Sequence, residues 1–157
     1  MLEADRAAVL DDLDAMGSGT ANILTALGEG CALLGWANEV RTLYPQLQEL
    51  ARRHLLPLRT FDAAGTNRIA GMAAMALEQW DDAAHHLDAA RHEVDTMPNE
   101  VDRPVVIHLC AELALRRPDG PGDLDPASLL TQAVAGYRTQ HRALLLDQAQ
   151  ALAATIA

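Results

Sequence analysis

The chain carries a half-concealed internal repeat. Gly28 is followed by Trp36, Val40, Tyr44 and Leu47, and 43 residues beyond Gly28 stands Gly71, followed by Trp80, Ala83, Leu87 and Ala90. A shift of 43 superposes Gly28 on Gly71, Val40 on Ala83, Tyr44 on Leu87 and Leu47 on Ala90, while Trp36 falls one position short of Trp80. A small residue in one helix, an aromatic at the bend and an apolar stripe along one face of the next helix describe a helix hairpin. Small residues let the two backbones approach closely, and the stripe keeps the 3.6-residue period. Such a repeat restricts the chain to stacked helix pairs, an arrangement better suited to binding than to catalysis.

The rest of the sequence agrees with helices throughout. Half of the 157 residues are apolar but only 3% are aromatic, so the core must be built from Ala, Leu, Val and Met. Ala and Leu lose least on entering a helix, and no alternating run is long enough for a strand. The expected fold is all-α, a short α-solenoid of about seven to eight helices forming one domain over 1–157.

Its hairpins fall at about 20–54, 64–97 and 104–140, with capping helices at 3–16 and 141–156. In the third and most degenerate hairpin Ala111 takes the small-residue place, and Leu130 with Ala133 supplies the stripe. Pro45 is expected to kink or interrupt its helix, because proline removes a helical hydrogen bond. The Pro- and Gly-rich stretch 118–126 reads as a loop inserted in the third hairpin.

Charge excludes several function classes. The formal net charge is −10, and all twelve positive residues are Arg. An acidic surface gains no counterion release on DNA, so direct nucleic-acid binding is not expected. Without Lys there is neither a phosphate loop of the G-x-x-x-x-G-K-[ST] kind nor Schiff-base chemistry. The start of the chain is acidic, without a basic stretch or an apolar core, which argues against secretion. No run of 18 apolar residues is present, so no membrane contact is expected and the cytoplasm is the expected compartment. Cys31 and Cys110 lie in apolar helical stretches and read as buried free thiols.

Taken together, Gly71, Trp80, Ala83, Leu87 and Ala90 in GMAAMALEQWDDAAHHLDAA resemble a tetratricopeptide repeat. The family's early Trp is replaced by Asn67, its terminal Pro is displaced to Pro98, and the 43-residue spacing exceeds its usual one. Over about 20–150 the chain is also similar to the helical array downstream of the nucleotide-binding domain in large bacterial signal-transduction ATPases. These include LuxR-type regulators and adenylate-cyclase-linked ATPases. The resemblance implies a non-catalytic interaction module of a signalling or transcription-regulating protein, with a protein partner or partner domain and no cofactor.

In that family the first helix of each pair lines the concave side. Carried over, this gives a groove of Asn22, Thr25 and Glu29, then Arg68, Met72 and Met75, then His108, Glu112 and Leu115. Arg68 could hold a partner's carboxylate bidentately. Apolar end faces on a short solenoid would also let two copies stack into a homodimer. The alternative is a small-molecule sensor whose apolar pocket is lined by Met72, Met75, His108 and Cys110.

Other constellations have plainer readings. Asp81, His85, Asp88 and His92 form one helical stripe with metal-ligand chemistry, but it faces away from Ala83, Leu87 and Ala90 and should meet solvent. His108 and Glu112 form an i,i+4 pair expected on the open inner wall, where a lone His is more often solvated than a general base. Cys110 has only Arg116 and Arg117 nearby in sequence to favour a thiolate. Met72 and Met75 read as packing residues or an adaptable surface. The acidic residues of 3–16 read as a solvated face or a lure for a basic partner. No catalytic residue and no metal ligand are expected.

Overall fold

The computed structural model describes residues 18–53, 65–96, 99–120 and 122–156. Among them are seven α-helices and no strand: α1 Ser18–Leu33, α2 Ala37–Arg52, α3 Thr66–Ala76, α4 Trp80–Thr96, α5 Arg103–Arg116, α6 Pro126–Thr139 and α7 Ala143–Ala153. The helix expected at 3–16, the connector at 55–62 and Met97 lie outside the described residues. The expected interruption at Pro45 is corrected, because α2 runs through it as one helix. Proline there supplies no N–H to the Arg41 carbonyl four residues back, so one helical hydrogen bond is lost.

The 43-residue repeat is most regular in its turns. Gly35 and Glu78, at equivalent positions, both adopt left-handed backbone with φ of 70° and 58°. After α1 the Trp36 N–H returns to the Cys31 carbonyl and the Gly35 N–H to Ala32; after α3 the Gln79 N–H returns to Ala74 and the Glu78 N–H to Met75. This is one helix-ending bond pattern used twice, and His141, with φ of 55°, closes α6 in the same way. The two tryptophans are not equivalent. Trp36 follows the turn and is 53% exposed, whereas Trp80 opens α4, half-buried, with the Arg116 guanidinium 5.5 Å over its ring.

Each helix packs on the next in sequence, and α3 also touches α1 and α5. The repeat stripe is the core: Val40, Tyr44 and Leu47 of α2, Ala83, Leu87 and Ala90 of α4, and Leu130 and Ala133 of α6 are all buried. Gly28 and Gly71 make the close approaches the repeat requires. A Cβ on Gly28 would come within 2.7 Å of the Leu47 side chain, and one on Gly71 within 2.8 Å of Leu87. Every residue of α3 from Thr66 to Met75 is buried. A helix enclosed on all sides must pair each polar side chain it carries, and α3 carries Asn67 and Arg68.

Two substitutions test this packing. Gly71→Val is expected to destabilise the fold by about 2 kcal/mol, since overpacking a filled core costs about 1–3 kcal/mol. Glu78→Gly is expected to stabilise it by about 1 kcal/mol by relieving left-handed strain. Urea unfolding monitored by circular dichroism measures both, and a neutral Gly71→Val would contradict the close approach.

Candidate functional site

Arg68 sits in the first turn of α3 with 3% of its side chain exposed. Its Nη1 donates to Glu29 Oε1 of α1 at 2.8 Å, and its Nε lies 2.9 Å from Asp102 Oδ1. Asp102 immediately precedes α5 and is also buried. Its other oxygen accepts from the Gly65 N–H at 3.3 Å, the residue that caps α3. Asp102 makes no side-chain cap to its own helix, because its carboxylate is committed to the second hairpin. One guanidinium therefore ties the first helix of each hairpin: α1 through Glu29, α3 through itself, and α5 through Asp102.

Around this cluster lies a groove made of two hollows. One, of about 300 Å³, is lined by Glu29 and Leu33 of α1, Arg68 and Met72 of α3, His108 and Glu112 of α5, Tyr137 of α6, and Arg142, Leu145 and Gln148 at α7, among others. The second, of about 320 Å³, runs on past Met75 and Ala76 to Arg116. The hollows share Leu33, Met72, Leu109 and Glu112, so they form one continuous depression. Its floor is apolar, with charged groups at its sides.

Of the nine expected groove residues, Glu29, Arg68, Met72, Met75, His108 and Glu112 line these hollows. Three do not. Thr25 is fully buried, its hydroxyl donating to the Ala21 and Asn22 carbonyls at 2.8 and 3.1 Å. Asn22 is half-buried beside it, and Leu115 packs against the core.

Two roles are corrected. Arg68 is not available for a partner's carboxylate, because two carboxylates of its own chain hold it. His108 and Glu112 do not pair on an open wall. The His108 Nδ1 lies 3.2 Å from the Tyr137 hydroxyl, and Glu112 accepts from Arg116 at 3.0 Å. Asp102, Tyr137, Arg142 and Gln148 escaped the sequence reading. Asp102 looks like an ordinary helix cap ahead of Pro104, and the others lie in segments read as a stripe and an end cap.

Of the residues expected to line a metabolite pocket, Met72, Met75 and His108 share the continuous depression and Cys110 does not. Met72 and His108 line the first hollow and Met75 the second. Cys110 opens instead to a third hollow of about 320 Å³ with Leu87, Arg91 and Arg117. Burial pushes its thiol up to about 11 despite the nearby Arg91, so a reactive thiolate is disfavoured. Cys31 and Cys110 are both free and buried.

Asp81, His85, Asp88 and His92 all point to solvent. Among the described residues no cluster of three or more His, Cys, Asp or Glu could hold a metal ion, and no helix is long and apolar enough to cross a membrane.

A second buried polar group joins α3 to α4. The Asn67 amide donates to Glu93 Oε1 at 2.6 Å, which turns its carbonyl toward His86 Nδ1 at 3.0 Å. That geometry fixes the proton of a neutral His86 on Nδ1. Burial lowers the His86 pKa and so does neighbouring His85, against an opposite pull from Asp82. Burial also lowers the His108 pKa, opposed by Glu112.

Both histidines have folded-state pKa values below the ordinary 6.5. The unfolded chain therefore takes up these protons first, so stability holds above that value and is lost as pH falls below it. Thermal melts from about pH 7.5 to 5 should show a declining midpoint, with a smaller decline in the His86→Gln/His108→Gln variant. An identical decline in that variant would contradict the assignment. Arg68→Met should destabilise the fold by about 3–5 kcal/mol, because Asp102 is left buried and uncompensated. The double variant Arg68→Met/Asp102→Leu should regain most of that loss in urea unfolding.

No family model, curated protein or solved structure matches this chain.

Proposed function

We propose that the chain is a non-catalytic α-solenoid of tetratricopeptide-like hairpins that holds a segment of a partner protein in its groove, within a cytoplasmic bacterial signalling or transcription-regulating protein. The observation that carries this reading is the convergence of the first helices of three hairpins on one continuous depression. Leu33, Met72, Leu109 and Leu145 supply an apolar strip, and Glu112, Arg142 and Gln148 stand along it. An amphipathic helix laid into such a groove buries its apolar face on the strip and reads the charges at its rim. Rim charges govern register and encounter rate more than affinity. Arg68 acts here indirectly, by holding the walls at a fixed spacing.

Peptides selected from a random display library on the full chain provide the test, with affinities measured by calorimetry. Leu145→Asp and Glu112→Arg should each weaken binding at least about tenfold, or about 1.4 kcal/mol. His85→Ala, on the outer face of α4, should leave it unchanged. Selected peptides that bind both groove variants as tightly as the wild type would refute the proposal.

The first hollow also supports a second reading. At about 300 Å³ it reaches the lower end of small-ligand sites. A compound panel that raises the melting temperature of the wild type but not of a His108→Leu variant would favour that reading.

A further inference from the structure

The third hollow shares no lining residue with the groove. Here α4 turns Ala84, Leu87, Asp88 and Arg91 inward, and α5 turns Cys110, Leu113, Ala114 and Arg117. Both sets keep the i, i+3, i+4, i+7 spacing of one helix face, so the hollow is a trough along the seam between the two helices. The helices run antiparallel. Arg103 at the start of α5 bonds to the Val94 carbonyl near the end of α4, and Arg117 just past α5 reaches Asp81 at the start of α4. Arg91 and Arg117 therefore stand at opposite ends of the trough. Its floor is apolar, with Leu87, Cys110 and Leu113 buried and Leu124 packed against the core from the loop.

Arg91 is the informative residue. Among the described residues it has no ion pair and no side-chain hydrogen bond, although Asp88 and Asp95 stand at i−3 and i+4 on its own helix. Asp95 is held by Arg103 instead. Arg91 is half-buried in the trough, close enough to Cys110 to act on its thiol. Asp88 and Asp123, which also line the trough, are exposed and stand at its mouth. Arg117 is committed to Asp81, a carboxylate 92% exposed. Partial burial of an unpaired guanidinium is unfavourable, and a ligand carboxylate would remove that cost.

We infer that this trough binds a small organic carboxylate with an apolar chain, its carboxylate held by Arg91 and its chain laid along Leu87, Leu113 and Leu124. A guanidinium takes a carboxylate bidentately. Ala84 and Arg91 are two turns apart, about 10 Å, which suits a chain of about six to eight carbons. At about 320 Å³ the hollow reaches the lower end of small-ligand sites. A neutral alcohol of the same length gains the apolar contacts without the ion pair, and an ammonium meets a guanidinium at either end. The site is distinct from the groove, because α5 turns Leu109, Glu112 and Arg116 to the groove and Cys110, Leu113 and Arg117 to the trough.

Titration of the full chain with hexanoate, followed residue by residue through amide chemical shifts, provides the test. The expected result is saturable shifts confined to 84–91, 110–117 and 122–124, with a Kd on the order of 1 mM, as suits so few ligand atoms. Hexanol and hexylammonium should each bind at least about tenfold more weakly than hexanoate. Arg91→Gln should reduce hexanoate to the level of hexanol while leaving the melting temperature nearly unchanged, since Arg91 makes no ion pair in the fold. Leu124→Asp, on the loop, should weaken hexanoate as well and serves if Arg91→Gln fails to fold. Hexanol binding as tightly as hexanoate overturns the inference, because the trough would then be apolar without an anion site. Tighter binding of hexylammonium overturns it in favour of Asp88 and Asp123. Shifts centred on Met72, His108 and Leu145, or binding undiminished in both variants, would place the ligand elsewhere and overturn it too.

Discussion

A guanidinium enclosed in the central helix is the constraint on which the rest of the structure depends. Arg68 lies in a helix buried along its whole length from Thr66 to Met75, where an unpaired charge would be prohibitive. Glu29 and Asp102 supply the compensation from two other hairpins. Because both carboxylates come from outside α3, the ion cluster can form only when all three hairpins have taken their places. The surrounding core does not specify that placement as sharply. Its contacts are made mostly by Ala, Leu and Met, residues that repack with modest loss. A single charged cluster fixes the register that such packing leaves loose, a role buried ionic groups fill in some systems.

The groove follows from the same arrangement. The close approaches at Gly28 and Gly71 bring each second helix hard against its partner. The first helices α1, α3 and α5 are left lining one side, with Leu33, Met72 and Leu109 as the floor between them. The charges a partner could read are the ones not consumed in holding the wall. Arg68 is used internally, whereas Arg142 and Gln148 from the C-terminal end complete the rim. The chemistry of the groove is thus set partly by an element outside the three hairpins.

The hairpins and their buried stripes were legible because a 3.6-residue apolar period is a local property. Val40, Tyr44, Leu47, Ala83, Leu87 and Ala90 are all buried, as their spacing implies. The equivalence of the turns was harder to see, since Gly35 announces a left-handed residue and Glu78 does not. Trp36 misled for a related reason: it lies just past its turn and faces solvent, while Trp80 begins a helix. Six of the nine groove residues were legible from hairpin geometry, but their states were not. Arg68 looks free in sequence because its partners lie in other hairpins, and Asp102 looks like a local cap. The Tyr137 hydroxyl that meets His108 likewise comes from a different helix.

The central claim is that one ion cluster organises three hairpins at once, and amide hydrogen exchange resolved by residue tests it most directly. The comparison is between the wild type and Asp102→Asn, in which Arg68 loses its buried counter-charge while the side chain keeps its size. The account predicts that slow-exchanging amides of α1, α3 and α5 lose protection together and by similar factors. Loss confined to the start of α5, with α1 and α3 unchanged, would mean that Asp102 serves only its own helix and that the hairpins are held by apolar packing alone.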